Sequence, residues 1–400
     1  MIPRMLSGPC DTKFCTRCGC CISICPQECI TITTHAEIDD SCTQCGLCRE
    51  VCPGEGTDLK EEGRKLFEGS CYNQYVGWIN HAYTGYSFSD AVRKRGTSGG
   101  VVTSLLICLL EKGMIDGALV VGFDPEKPWK TVYQVATCAE DILESAQTKY
   151  QVTPLTQRIF SLPLERIAVV GLPCVIQGLR KVQALKQGEK IRLLIGLFCW
   201  VNMEREATEF LLDMLKVSPE EVASLEYRGG DYLGGFRVTK KDGEVITLDK
   251  ECYNVLPFLF APERCVCCSD FTNELADISM GDAKFMHSQK GHTFVITRSQ
   301  EGETMLKACL DHVSIDEHDI EDIIWSESSS LFFKKRGHRR LLREPSVHSE
   351  EEIDIPVKNR LFEFGFTLIH KNRNFFRSLF KAMPVELFKL VSRVITRERS

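Results

Sequence analysis

The segment Cys15-Thr16-Arg17-Cys18-Gly19-Cys20-Cys21-Ile22-Ser23-Ile24-Cys25-Pro26 is followed by a second copy of its spacing, Cys42-x2-Cys45-x2-Cys48-x3-Cys52-Pro53. Three thiols in one such tight loop cap three irons of a cubane, and the fourth cysteine of each run reaches the cubane of the other. The spacing therefore assigns Cys15, Cys18, Cys21 and Cys52 to one [4Fe–4S] cluster. Cys42, Cys45, Cys48 and Cys25 go to a second. Gly19 and Gly46 stand inside the loops, where backbone must approach sulfide closely. Zinc is the alternative for a cysteine-rich loop, but it wants four ligands in two separated pairs. Two runs each closed by Cys-Pro do not offer that pattern. Cys10, Cys20 and Cys29 are left over and read as small packed residues.

The rest of the composition is that of a globular protein. The chain has 400 residues, 43% hydrophobic and 26% charged, which gives room for two or three domains. A net charge of −6 argues against nucleic acid as a bulk partner. There is no run of about 18 apolar residues to span a membrane and no secretory leader, so a cytoplasmic location is expected. Of the 21 cysteines, eleven precede residue 53. In a long chain without an export signal they read as thiolate ligands rather than disulfides.

The fold expected is composite: α+β at the start, α/β afterwards. Residues 1–60 form a small bacterial-type 2[4Fe–4S] ferredoxin domain. The charged stretch Asp58 to Lys65 reads as a helical or exposed linker. Residues 75–335 form an α/β domain with a mixed sheet. Within it, Ala118–Phe123, Ile167–Gly171 and Ile191–Phe198 are near-continuous apolar runs that fit strands covered on both faces. Helical periodicity at Val101–Lys112 and Ala207–Leu215 alternates with them. Asp242-Gly243 between alternating strands predicts a hairpin, and Ala276–Arg298 carries strand signals with a turn at Gly281-Asp282. Residues 336–400 form a basic tail.

The chemistry-bearing motifs of the second domain are dispersed. Gly96-Thr97-Ser98-Gly99-Gly100 runs into an apolar helix and Thr103, a turn that presents bare amides to phosphate or simply turns. Cys174 and Cys199 end two expected buried strands, where α/β folds place functional residues. Arg264-Cys265-Val266-Cys267-Cys268-Ser269-Asp270 adds a loop of the Cys-x-x-Cys kind. Two strand ends and such a loop could make a third four-cysteine site, although a lone cysteine at a strand end more often belongs to the core.

From about Gly77 to Ser330 the chain resembles the β subunit of coenzyme F420-reducing hydrogenase and its relatives. The features that carry the likeness are Gly-x-x-Gly-Gly-x-x-Thr at 96–103, Ile115 to Val120, Lys149-Tyr150, Gly-x-Pro-Cys at 171–174, Gly-x-x-Cys at 196–199, Arg264 to Asp270, and Ala276 to Asp282. The resemblance implies a flavoprotein domain that binds FAD, a [4Fe–4S] cluster on Cys174, Cys199, Cys265 and Cys268, and hydride exchange with coenzyme F420. Cys267 could replace a neighbour in that set. Gly96, Thr97, Ser98, Gly99, Gly100 and Thr103 would hold FAD, and Lys149 and Tyr150 would stand beside the reacting rings. A ferredoxin segment ahead of this domain resembles the electron-input subunit of F420H2 dehydrogenase and the front half of F420-dependent sulfite reductase. Electrons would pass to or from a ferredoxin, a partner subunit or a membrane-bound dehydrogenase complex. The rivals are a ferredoxin-dependent flavin enzyme acting on another substrate, and a non-catalytic electron relay.

The tail departs from the family pattern. Lys334 to Arg343 carries six basic residues in ten, and Lys371 to Ser400 has eight Lys/Arg against two Glu among Phe and Leu residues. The first reads as a solvated face. The second reads as a basic amphipathic segment that lies on an anionic membrane, docks a partner, or packs on its own domain.

Overall fold

A strand covered on both faces leaves no position for solvent, and the apolar runs obey this. In the structure, a computed structural model that describes residues 8–185, 189–230, 234–283, 291–336 and 357–396, they lie together in the middle of an eight-stranded sheet. Along the chain, β1 (Ile30–Ile32) and β2 (Ala36–Ile38) pair in the cysteine-dense segment, and β3 (Cys71–Asn73) pairs with β4 (Gly77–Ile79). Then come β5 (His81–Ser87), β6 (Gly117–Phe123), β7 (Thr131–Ala136), β8 (Ile167–Gly171) and β9 (Ile191–Leu197). β10 (Val222–Gly229), β11 (Gly235–Lys240) and β12 (Val245–Asp249) make a separate antiparallel sheet, with the Asp242-Gly243 turn between the last two. β13 (Ile278–Asp282), β14 (Thr293–Thr297) and β15 (Val313–Glu317) return to the main sheet.

The order of the main sheet is β15-β5-β14-β13-β9-β8-β6-β7. The central four strands, β13, β9, β8 and β6, run parallel and are flanked by antiparallel neighbours, so the sheet is mixed. Alternate residues divide its two faces. Ala118, Val120, Leu193 and Ile195 pack with Leu105, Leu106 and Leu109 of the helix Val101–Glu111. Leu119, Val169 and Leu194 pack with Ile176, Leu179 and Val182 of the helix Pro173–Ala184. Each such buried Val, Leu or Ile side chain contributes roughly 2 kcal/mol of apolar transfer.

Several expectations are corrected. Gly281-Asp282 is not a turn; both residues continue β13. The glycine is there because a Cβ would stand 2.1 Å from the Phe198 ring. The charged stretch after Asp58 is helical, Leu59–Leu66, but it is no free linker. Its Gly63 lies under Trp78, whose Nε1 donates to the Lys60 carbonyl at 2.9 Å. Cys108 and Cys309, expected as thiols, are joined in a disulfide within the core. Lys334 and Lys335 are buried rather than solvated, Arg336 is half-buried, and residues 337–343 lie outside the described residues.

The tail packs on its own domain by one face. Phe380 and Phe388 enter the core of the small antiparallel sheet, and Phe366 packs against Phe258 with ring centroids 4.8 Å apart. Arg377 donates to the Leu259 carbonyl at 2.6 Å, and Ser392 Oγ to that of Glu251 at 3.1 Å. Phe364, Leu368, Phe375, Leu379, Leu387, Leu390 and Val394 stay exposed. Among the described residues no helix is long and apolar enough to cross a membrane.

The cysteine-dense segment is seated on the sheet domain. Thr156 donates to the Cys18 carbonyl from its backbone N at 3.1 Å and its hydroxyl at 3.0 Å. Lys181 Nζ reaches the carbonyls of Cys52 (2.9 Å) and Gly56 (2.6 Å), Arg264 that of Pro53 (3.2 Å), and Arg17 is paired with Glu204. At Gly178 an added Cβ would lie 2.6 Å from Cys20 Sγ. Gly178→Val should therefore lift the segment and lower stability by roughly 1–3 kcal/mol, as overpacking does. An unchanged midpoint in thermal unfolding would show that the contact is dispensable.

Candidate functional site

Parallel strands deliver their following loops to one edge of a sheet, and ligands bind outside that edge. Here β8 ends at Gly171 and leads to Cys174, β9 ends at Leu197 and leads to Cys199, and β13 ends at Asp282. Between these ends, the Gly96–Thr103 turn and the loop 145–153 lies a cavity of about 460 Å³. Thr16 and Cys18 of the cysteine-dense segment also line it.

The glycine turn is held from β14. Gly99 N donates to Thr293 Oγ1 at 3.0 Å, and Ser98 Oγ meets the same hydroxyl at 2.9 Å. A Cβ on Gly99 would strike the Gly85 carbonyl at 2.4 Å, so no larger residue fits. Gly100 caps the following helix at φ 77° and offers no side-chain hydrogen bond. The amides of the first turn are thus left for a ligand, with the positive end of the helix dipole behind them. Thr97 Oγ1 accepts from Thr148 Oγ1 at 3.1 Å, which ties the turn to the facing loop. Thr103 is buried in the cavity wall.

That facing loop carries Lys149 and Tyr150, both in the wall. Lys149 Nζ donates to the carbonyls of Ala146 (2.9 Å), Gln147 (3.2 Å) and Ser145 (2.5 Å). Burial pushes its ammonium down to about 7, with the charge of Arg95 adding to the effect. Burial raises the Tyr150 phenol, whose ring meets Tyr227 edge-on at 5.6 Å. Arg228 and Asp282 form an ion pair at 2.5 Å on the same wall. No local signal in the sequence marks Arg228, because its carboxylate partner lies 54 residues away.

The twelve predicted ligand cysteines fall into three neighbourhoods. Cys21 is raised by burial and by Cys18, Cys52 and Cys15; Cys48 by burial and by Cys25, Cys42 and Cys45. Cys174 is raised by burial and then by Cys265, Cys18, Cys199 and Cys268. Burial pushes Cys199 up to about 12, and Cys265 and Cys268 add to it, while Lys334 opposes them. Thiols gathered this closely suit a cationic centre, which binds them as thiolates. The cysteine sets therefore fit iron–sulfur clusters. Cys267 does not join its set; its thiol turns to the Glu263 carbonyl at 3.4 Å. Cys10, Cys20 and Cys29 are buried beside cysteines of the two runs, Cys10 against Cys15 and Cys52, Cys20 against Cys18, and Cys29 against Cys25.

Two family models match consecutive stretches: coenzyme F420 hydrogenase/dehydrogenase, beta subunit N-term, over residues 82–159, and its C terminus over residues 164–323. The chain belongs to this family. It is 31% identical over 348 residues to the coenzyme F420-dependent sulfite reductase of Methanocaldococcus jannaschii, covering 82% of this chain and only 51% of that protein. To a subunit of the F420H2 dehydrogenase of Methanosarcina mazei it is 27% identical, covering 79% of this chain and 88% of that one. Its fold is similar to a chain of the F420-reducing [NiFe] hydrogenase complex from Methanosarcina barkeri, at TM-score 0.54 and 26% identity over 67% of this chain and 92% of that chain.

Lys149 provides a test of the cavity's electrostatics that needs no ligand. Its proton is held less tightly in the folded chain than at the ordinary value of 10.5. Between about pH 7 and 10.5 the unfolded chain therefore binds more protons, and this residue makes stability rise with pH, by at most about 1.4 kcal/mol per pH unit. Lys149→Met should remove that slope from the difference between the two proteins' unfolding curves. Parallel curves across the window would place the Lys149 charge in solvent.

Proposed function

We propose that this chain is an iron–sulfur flavoprotein that exchanges reducing equivalents between coenzyme F420 and three [4Fe–4S] clusters by way of FAD. The observation that carries the reading is the joint lining of one cavity by the Gly96–Gly100 turn, Lys149-Tyr150 and a four-cysteine set, with Cys18 of the first cluster set at its edge. FAD bound there supplies what the pair of carriers lacks, since deazaflavins trade two electrons as hydride and clusters take one at a time.

The chain's own residues then have separable tasks. Thr97, Ser98 and Gly100 receive the phosphates together with the first-turn amides, Gly96 and Gly99 shape the turn with their own amides bonded to the Val92 carbonyl and Thr293 Oγ1, and Thr103 packs beneath them. Lys149 supplies a cation that favours negative charge on a ring beside it, and Tyr150 bounds the ring pocket. Cys174, Cys199, Cys265 and Cys268 hold the innermost cluster. Cys15, Cys18, Cys21 and Cys52 hold the next, since Cys18 and Cys174 are electrostatic neighbours. Cys25, Cys42, Cys45 and Cys48 hold the outermost, in a loop where Cys45 is exposed. That loop faces the redox partner, whether ferredoxin or partner subunit. The ferredoxin segment 1–60, the flavin domain 75–335 and the tail 336–400 are the functional divisions.

Anaerobically prepared protein should carry about twelve irons and release FAD on heating, and should bleach F420 with a dye as the other reactant. Flavin without F420 activity would favour another substrate, and protein lacking flavin would be an electron relay. Cys268→Ala should lower iron by about one cluster; an unchanged iron count would remove Cys268 as a ligand.

The exposed Phe and Leu stripe of the tail, on a segment rich in Lys and Arg, fits contact with an anionic membrane surface, each basic residue adding of order 1 kcal/mol. Phe375→Ser/Leu379→Ser should weaken co-sedimentation with phosphatidylserine vesicles, and salt should weaken it further. Equal sedimentation of variant and parent would sink the membrane contact.

A further inference from the structure

Two adjacent lysines close the helix Ser328–Lys335, and both are buried, at 1% and 8% exposure. A buried ammonium is retained only where its charge is compensated. Lys335 is compensated by Glu274, itself buried, with Nζ 2.6 Å from the carboxylate. Lys334 turns the other way. Its Nζ donates to the Cys265 carbonyl at 3.1 Å, and its charge favours the thiolates of both Cys199 and Cys265. Asp270, which stands near Cys199, acts in the opposite sense. Lys334 also lines the cavity where β8 and β9 deliver Cys174 and Cys199.

We propose that Lys334 is a positioning residue that sets the reduction potential of the cluster held by Cys174, Cys199, Cys265 and Cys268, raising it above what burial alone would give. The inference rests on the cluster reading under Proposed function. One electron added to a thiolate-bound cluster makes it more negative by one charge, and enclosure penalises that charge. A fixed ammonium bonded to the backbone of one ligand cysteine, Cys265, favours the reduced level, as charge and hydrogen bonds near a cluster do generally. The effect is local, so the two clusters of the ferredoxin segment should not feel it.

The test is an EPR-monitored titration of the full chain with dithionite and mediators, on the parent, Lys334→Gln and Lys334→Arg, with iron counted in each. Cys268→Ala identifies the signal of the innermost cluster. At the ambient potential that half-reduces that cluster in the parent, Lys334→Gln should show about a tenfold smaller reduced-to-oxidised ratio. For a one-electron couple this is about 59 mV toward negative potential. Lys334→Arg should stay near the parent, and the other two signals should not move. A fully loaded Lys334→Gln protein with an unmoved midpoint overturns the proposal. So does loss of iron in Lys334→Gln that Lys334→Arg restores, since the residue would then be an anchor for the Cys265 loop. If Cys268→Ala changes neither the iron count nor any signal, the cluster reading itself has failed, whatever Lys334 does.

Discussion

At Gly178 a helix of the sheet domain carries no side chain, and Cys20 of the amino-terminal segment presses into the space. The position is one turn beyond Cys174, the second residue of the same helix, which follows β8. One close contact thus sets the separation between the first cysteine set and the third. The neighbouring hydrogen bonds from Thr156 to the Cys18 carbonyl fix its register, and Lys181 holds the far end of the segment through Cys52 and Gly56. Because Cys18 lines the same cavity as Cys174, the seat of this segment also determines the cavity's wall.

The sheet domain brings its own constraint. Four parallel strands with β8 and β9 adjacent place two cysteines from different loops side by side, and the antiparallel return of β14 against β13 holds the glycine turn through Thr293. Further polar groups are matched in the interior. Arg298, 1% exposed, donates to the carbonyls of Val76 and Trp78, and Asp277 receives Arg180 at 2.8 Å. Buried charges satisfied in this way fix loop positions as firmly as apolar packing does.

Much of this was legible in the chain because the signals were local. The cysteine runs specify their sets by spacing, and β6, β8 and β9 are apolar throughout because both faces are covered. The misreadings arose where the cause lay elsewhere in the sequence. Gly281-Asp282 resembles a turn, yet the glycine answers to Phe198, more than eighty residues earlier. Lys334-Lys335 resembles a solvated face, yet Glu274 and the Cys265 carbonyl bring both inside. Cys108 and Cys309 are separated by 201 residues and carry no spacing signal. The tail was legible as amphipathic, but each of its helices offers apolar residues both inward and outward, so composition alone left its packing open.

The way the amino-terminal segment is seated bears on how such proteins can be reassembled. A ferredoxin of identical cysteine spacing, spliced ahead of this sheet domain, would bring the right ligands and the wrong surface. It would need an arginine for Glu204, a carbonyl within reach of Arg264, a thiol-sized side chain for the hollow at Gly178, and a loop that accepts from Thr156. The segment and its platform are therefore matched parts, and exchange between relatives would have to carry both sides of the seam.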